Sequence, residues 1–123
     1  MFKMFIDDIE VYRLALEIGE KIYSEVEKWD FFSKDTIGKQ IVRSADSVAA
    51  NISEGFGRFY YKENKLFCYY SRGSLSETYT WLTKAKNRKL IDEEKFKEIK
   101  EKLKILSIKL NNYIKSIGKN SNT

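Results

Sequence analysis

The sequence predicts an all-α fold, an antiparallel up-down-up-down four-helix bundle, and three observations carry that prediction. Apolar residues recur at spacings of three and four along nearly all of the 123 residues. No proline and only six glycines interrupt them. The periodic segments are joined by short connections, the arrangement in which consecutive helices pack antiparallel. At 42% hydrophobic content the chain is long enough for one domain with a real core. That domain is expected over residues 1–118, with a polar, disordered tail at 119–123.

Helix one is expected over 7–28. Asp7 and Glu10 have the spacing of a capping box, and Ile6 with Val11 fits a hydrophobic staple. Its apolar positions, Val11, Tyr12, Ala15, Leu16, Ile18, Ile22, Tyr23 and Val26, are wide enough to touch two neighbours. Trp29–Phe32 is an aromatic connection expected to pack over one end of the bundle.

Helix two is expected over 33–54, with Ser33 as N-cap and Phe32 and Ile37 as its staple. Two stripes run along it. Ile41, Ala45, Val48 and Ile52 form an apolar face. Gln40, Ser44, Ser47, Asn51 and Glu54 form a second stripe of amide, hydroxyl and carboxylate groups. A solvated face would carry Lys and Glu, so these small hydrogen-bonding side chains point to contact with another helix. Gly55 is placed to end the helix with a left-handed cap.

Helix three is expected over 62–88, with Leu66, Phe67, Tyr70, Leu75, Thr78, Leu82 and Ala85 inward. Gly73 in its middle costs about 1 kcal/mol of helix propensity, which suggests a closely approaching neighbour, helix two. Helix four is expected over 92–117, capped by Asp92 with Ile91 and Phe96 as staple. Phe96, Ile99, Leu103, Leu106, Leu110, Tyr113 or Ile114, and Ile117 form its inner stripe, and Gly118 ends it.

Charge and composition narrow the function. The net charge is +5, distributed as 4 basic against 8 acidic residues over 1–30, 11 against 5 over 31–90, and 8 against 5 over 91–123. A pI near 9.2 permits binding to nucleic acid. The candidate phosphate contacts are Lys39, Arg43, Arg58, Lys62, Lys65, Arg72, Lys84, Lys86, Arg88 and Lys89, diluted by Asp35, Asp46, Glu63 and the acids of helix four. The absence of histidine excludes His-based triads and His/Cys metal clusters. Cys68 is a lone cysteine without an internal disulfide partner. Met1–Ile6 is too short for a signal peptide or a membrane span. These features point to a cytoplasmic protein without membrane association, cofactor or metal.

Two further constellations could carry chemistry. Glu54 and Glu77 could be paired carboxylates of an acid–base or metal site. Bundle di-metal sites, however, use two Glu-x-x-His motifs. Gln40, Ser44, Ser47, Asn51, Glu54, Ser74 and Glu77 read instead as a structural polar network fixing helix register, with Arg58 or Arg72 neutralising a glutamate. The segment Gly55–Tyr61 superficially matches an RNA-recognition strand. That motif stacks bases only on an antiparallel sheet, and no partner strand is expected here.

The stretch QIVRSADSVAANISEGFGR, followed by Gly73-Ser74-Leu75-Ser76-Glu77, resembles the intervening-sequence proteins, a four-helix-bundle family encoded within insertions of bacterial 23S ribosomal RNA genes and elsewhere in genomes. The pattern falls on Gln40, Ala45, Ser47, Asn51, Ile52, Glu54, Gly55, Gly57 and Arg58, and the similarity runs from about Ile9 to Ile117. The resemblance implies a non-enzymatic homopentamer. A relative in fold, the accessory variability protein of diversity-generating retroelements, binds nucleic acid and a reverse transcriptase through a basic surface. Tyr60 departs from the helix-capping Ser or Thr usual in the family, and Asn64 from an aromatic. The expected functions are therefore phosphate-backbone binding to structured RNA or DNA, or an oligomeric scaffold for a protein partner. Exposed Tyr69, Tyr79, Trp81, Ile105 and Ile108 would supply assembly surfaces.

Overall fold

The computed structural model describes residues 5–119, and every regular element among them is helical. After a 3-10 turn, Ile6–Asp8, come α1 (Glu10–Val26), α2 (Lys39–Phe56), α3 (Tyr61–Asn87) and α4 (Glu93–Ser116). A helical turn, Phe31–Ser33, and a π turn, Lys34–Gly38, lead directly into α2. Residues 120–123 of the expected tail lie outside the described residues, as do residues 1–4.

Side-chain pairings define the topology. Gly19 lies against Asp46, and Gly38 against Val26, so α1 and α2 run antiparallel. Ser71 meets Val48 and Thr78 meets Ser44, which sets α3 antiparallel to α2. Arg72 reaches Asn111, and Tyr61 packs on Gly118, doing the same for α3 and α4. Glu10 with Lys109, Glu17 with Lys102 and Lys21 with Glu98 close α4 back onto α1. Each helix therefore contacts the one before and after it in an up-down-up-down square. Ile22, Ile41, Ile52, Leu82, Ile99, Leu106 and Leu110 fill its centre.

Several local expectations are corrected. Helix one starts at Glu10 with Ile9 at its N-cap, and Asp7 does not cap it. Asp7 sits in the preceding 3-10 turn, where its carbonyl oxygen accepts from Arg13 Nη1 at 2.7 Å. The N-cap before helix two is Asp30, not Ser33. Its Oδ1 accepts from the Ser33 amide at 3.0 Å, and its Oδ2 from the Ser33 hydroxyl at 2.9 Å. Those bonds to Ser33 hold the Asp30 carboxyl below its ordinary pKa. The π turn follows, and at its end Gly38 packs on Val26, where a Cβ would stand 2.9 Å from Val26 Cγ1. Of the aromatic connection only Trp29 is buried. Phe31 and Phe32 are 80% and 74% exposed.

Gly55 is not a left-handed cap. It is buried within α2, where a Cβ would fall 2.7 Å from Asn64 Oδ1 and 2.8 Å from the Asn64 carbonyl oxygen. It permits α3 to begin hard against α2. Gly73 behaves oppositely, with nothing within 4 Å of its Cβ position. The close approach of α3 to α2 runs instead through Ser71, Ser74 and Thr78. The inner face of α3 is correspondingly rotated: Leu66 and Tyr70 are exposed, while Cys68 and Ser71 are fully buried. Burial pushes the Cys68 thiol up to about 11. On α4, Asp92 Oδ1 accepts from the Lys95 amide at 2.7 Å, and Phe96 through Ile114 form the buried stripe.

Candidate nucleic-acid interface

The seam between α2 and α3 is held by hydroxyls. Ser71 Oγ donates to the Val48 carbonyl at 2.6 Å. Thr78 Oγ1 lies 2.9 Å from Ser44 Oγ and 2.8 Å from the Ser74 carbonyl. Ser47 and Ser74 hydroxyls are 2.9 Å apart, and Asn51 Nδ2 donates to Ser47 Oγ and its carbonyl, each at 2.9 Å. The structure thus joins Ser44, Ser47, Asn51 and Ser74, and adds Ser71 and Thr78, which the sequence reading left out of the network. Gln40, Glu54 and Glu77 lie outside it on the surface.

Those positions also separate the two glutamates. Gly55 lies opposite Asn64 and Ser44 opposite Thr78. Glu54 is therefore level with the start of α3, about 18 Å along its axis from Glu77 at 1.5 Å per residue. Glu54 pairs with Arg58 at 2.8 Å, and Glu77 accepts from Trp81 Nε1 at 3.1 Å. They cannot act as a carboxylate pair.

The ten candidate cations do not form one face. Lys39, Arg43, Lys84, Lys86, Arg88 and Lys89 gather at the end where α1 joins α2 and α3 joins α4. Arg58, Lys62 and Lys65 sit at the opposite end, and Arg72 lies between. Lys62 and Lys86 are about 36 Å apart along α3. Four of the ten are engaged. Lys39 pairs with Asp35 at 2.8 Å, and Arg58 bridges Glu54 and Glu63 above the Phe67 ring. Arg72 Nη1 donates to Asn111 at 3.1 Å with its guanidinium over Tyr69, and Lys86 lies over Phe96 and 3.9 Å from Glu93. Arg43, Lys62, Lys65, Lys84, Arg88 and Lys89 have no ion-pair partner among the described residues. Exposed aromatics accompany both ends, Phe31 and Phe32 at one, Phe59, Tyr60 and Tyr61 at the other.

Between α1 and α2 the groove changes sign along its length: Glu20, Asp46 and Glu54 line one half, Lys34, Lys39 and Arg43 the other, and burial together with Glu20 holds the Asp46 carboxyl above its ordinary pKa. The groove between α3 and α4 is lined by Arg72, Ser76, Tyr79, Lys100, Lys104 and Ser107 over Leu75 and Leu103, with no carboxylate. Lys100 and Lys104 were not among the sequence candidates. Of the helix-four acids expected to dilute the basic charge, Glu93 does so at Lys86, while Glu98 pairs with Lys21 and Lys95, away from this groove.

The sequence matches the family model of the 23S rRNA-intervening sequence protein over residues 7–112. The chain belongs to that family. No curated protein matches it. Among solved structures it is similar to a protein of unknown function from the S23 ribosomal protein family of Bacteroides thetaiotaomicron. Identity is 22%, the match covers 86% of this chain and 99% of that one, and the TM-score is 0.77. That likeness supports the same four-helix fold.

In this chain the motif from Asn51 to Arg58 builds the junction of α2 and α3. Asn51 ties to Ser47, Gly55 admits Asn64, and Arg58 clamps Glu54 to Glu63. Tyr60 occupies the N-cap of α3 and makes no side-chain capping bond, so the junction rests on Gly55 and Arg58. Among the described residues no helix is long and apolar enough to cross a membrane.

Proposed function

We propose that this chain is a non-enzymatic, cytoplasmic protein that assembles as a homopentamer and holds structured RNA or DNA through backbone phosphates. One observation carries the reading: six of the ten candidate cations, five of them on or just beyond α3, have no carboxylate partner among the described residues. Unpaired Lys and Arg gain most from an external polyanion, because neutralising phosphates releases condensed counterions. Five chains at +5 each would multiply contacts that are individually weak. A second reading, an oligomeric scaffold for a nucleic-acid enzyme, is favoured by the exposed rings of Phe31, Phe32 and Phe59, the last 87% exposed.

The test is binding of purified protein to labelled structured RNA and duplex DNA over a salt series. The expected result is affinity that falls steeply with salt and drops further on charge reversal at Arg43 with Lys84, or at Arg88 with Lys89. A protein that binds neither nucleic acid at low salt refutes the reading. Capture of a co-encoded protein that persists at high salt would then support the scaffold.

A further inference from the structure

We infer that the groove between α3 and α4 is the principal nucleic-acid site, and that it takes the unpaired stretches of such a structured nucleic acid, with phosphates on Arg72, Lys100 and Lys104 and bases against Tyr79. This inference rests on the reading that the protein binds nucleic acid at all. It names a place for that binding distinct from the cation clusters at the bundle ends.

The asymmetry of α4 is the main argument. Its lysines that face α1 are neutralised: Lys102 pairs with Glu17 at 2.9 Å, and Lys109 with Glu10 at 3.3 Å. Its lysines that face α3 form no ion pair among the described residues. Lys100 lies 5.7 Å from the centre of the Tyr79 ring, a contact with an aromatic face rather than a carboxylate. Lys104 has no ion-pair partner among the described residues. The two stand one helical turn apart, about 6 Å along the groove. Arg72 faces them from α3, already oriented by Asn111 and by the Tyr69 ring.

The rest of the lining suits a polynucleotide. Ser76, Tyr79 and Ser107 offer hydroxyl donors to phosphate and sugar oxygens, and Leu75 and Leu103 give an apolar floor. The Tyr79 phenol is more acidic than usual, chiefly through its hydrogen bond with Thr83 and then through Lys100. A basic track beside an exposed aromatic ring is the arrangement that grips unpaired strands, phosphates by charge and bases by stacking. A duplex presents no free base faces to such a ring.

The experiment is fluorescence anisotropy of a labelled unstructured 20-nucleotide strand, as RNA and as DNA, against the full chain over a salt series. Three proteins are compared: wild type, Lys100→Gln/Lys104→Gln, and Lys28→Gln/Lys115→Gln, two lysines outside the groove and outside the candidate phosphate contacts, as a control of equal charge change. Circular dichroism confirms equal helicity. The groove variant is expected to lose at least tenfold in affinity, with its salt slope shallower by about 1.4 for two lost single-strand contacts. The control is expected to change less than threefold. Equal loss in both variants, or none in the groove variant, overturns the groove while leaving nucleic-acid binding intact. Tighter binding of wild type to a matched duplex than to the strand overturns the single-strand assignment. Failure of wild type to bind RNA, DNA or duplex at low salt removes both this inference and the function it rests on.

Discussion

Glycine makes the residue-scale argument, because the same side-chain absence has opposite meanings at two sites. At Gly55 a methyl group would be driven into Asn64, whose side-chain and backbone oxygens both stand under 3 Å from the Cβ position, and against Phe67 Cβ at 3.1 Å. Backbone cannot yield as a flexible side-chain tip does, so α3 would have to lift from α2. Gly55→Ala is expected to destabilise by about 1–3 kcal/mol, as overpacking typically does. At Gly73 the methyl meets nothing within 4 Å. Gly73→Ala there removes backbone freedom from the unfolded chain and is expected to stabilise by about 0.5–1 kcal/mol. Urea unfolding of the two variants decides the matter, and a neutral Gly55→Ala would refute the close-packed junction. From sequence alone Gly73 looked like the point of close contact and Gly55 like a cap. Nothing in the one-letter string distinguishes a glycine that admits a neighbour from one that faces solvent.

Among the elements, α4 and α3 show why some of the fold was legible and some was not. The stripe of α4 is built of Phe, Ile and Leu, whose large side chains mark the buried face by hydropathy alone. On α3 the expected Leu75, Thr78, Leu82 and Ala85 are buried, but the first half of its inner face is carried by Cys68 and Ser71, both fully buried. Small hydroxyl residues carry no hydropathy signal. The larger Leu66 and Tyr70 nearby pulled the apparent stripe round to the exposed side. The basic site suffered likewise, since a list of lysines says nothing of azimuth until ion pairs sort those facing α1 from those facing α3. The row of pairs joining α1 to α4 has its own consequence. Glu17 is held below the ordinary glutamate pKa by its hydrogen bond from Lys102, and Glu98 by those from Lys21 and Lys95. A carboxyl whose folded pKa is lowered stabilises the fold above the unfolded value, about 4.3, and that stability is lost as pH falls through the lowered folded value. Lys102→Met is therefore expected to lower the urea midpoint at pH 7 and to lower it by less at pH 3. An equal effect at both pH values would mean that packing of the lysine stem, not charge, joins the helices.

For the whole molecule the open question is what covers the apolar surface that one bundle leaves bare. Ile108 is 63% exposed and Ile105 40%, both on α4, while Leu16 and Tyr23 on α1 are 43% and 50% exposed. Trp81, expected among these surface residues, is partly buried and packs against the core. Exposed β-branched side chains three residues apart on one helix make a local apolar ridge, and apolar ridges on soluble proteins mark contact surfaces. The α4 and α1 residues are different surfaces of the same chain. A contact between them is heterologous, the kind that closes into a ring when the rotation per step permits. The pentamer makes a direct prediction. Light scattering of wild type at micromolar concentration is expected to give five times the chain mass of 14.5 kDa. Ile105→Lys/Ile108→Lys is expected to return the monomer mass with unchanged helicity, since neither side chain belongs to the buried core. A wild-type monomer would eliminate the ring. A pentamer indifferent to the double variant would move the interface off α4. Loss of assembly together with retained strand binding would show that the groove between α3 and α4 works within a single bundle, and that the ring serves to multiply it.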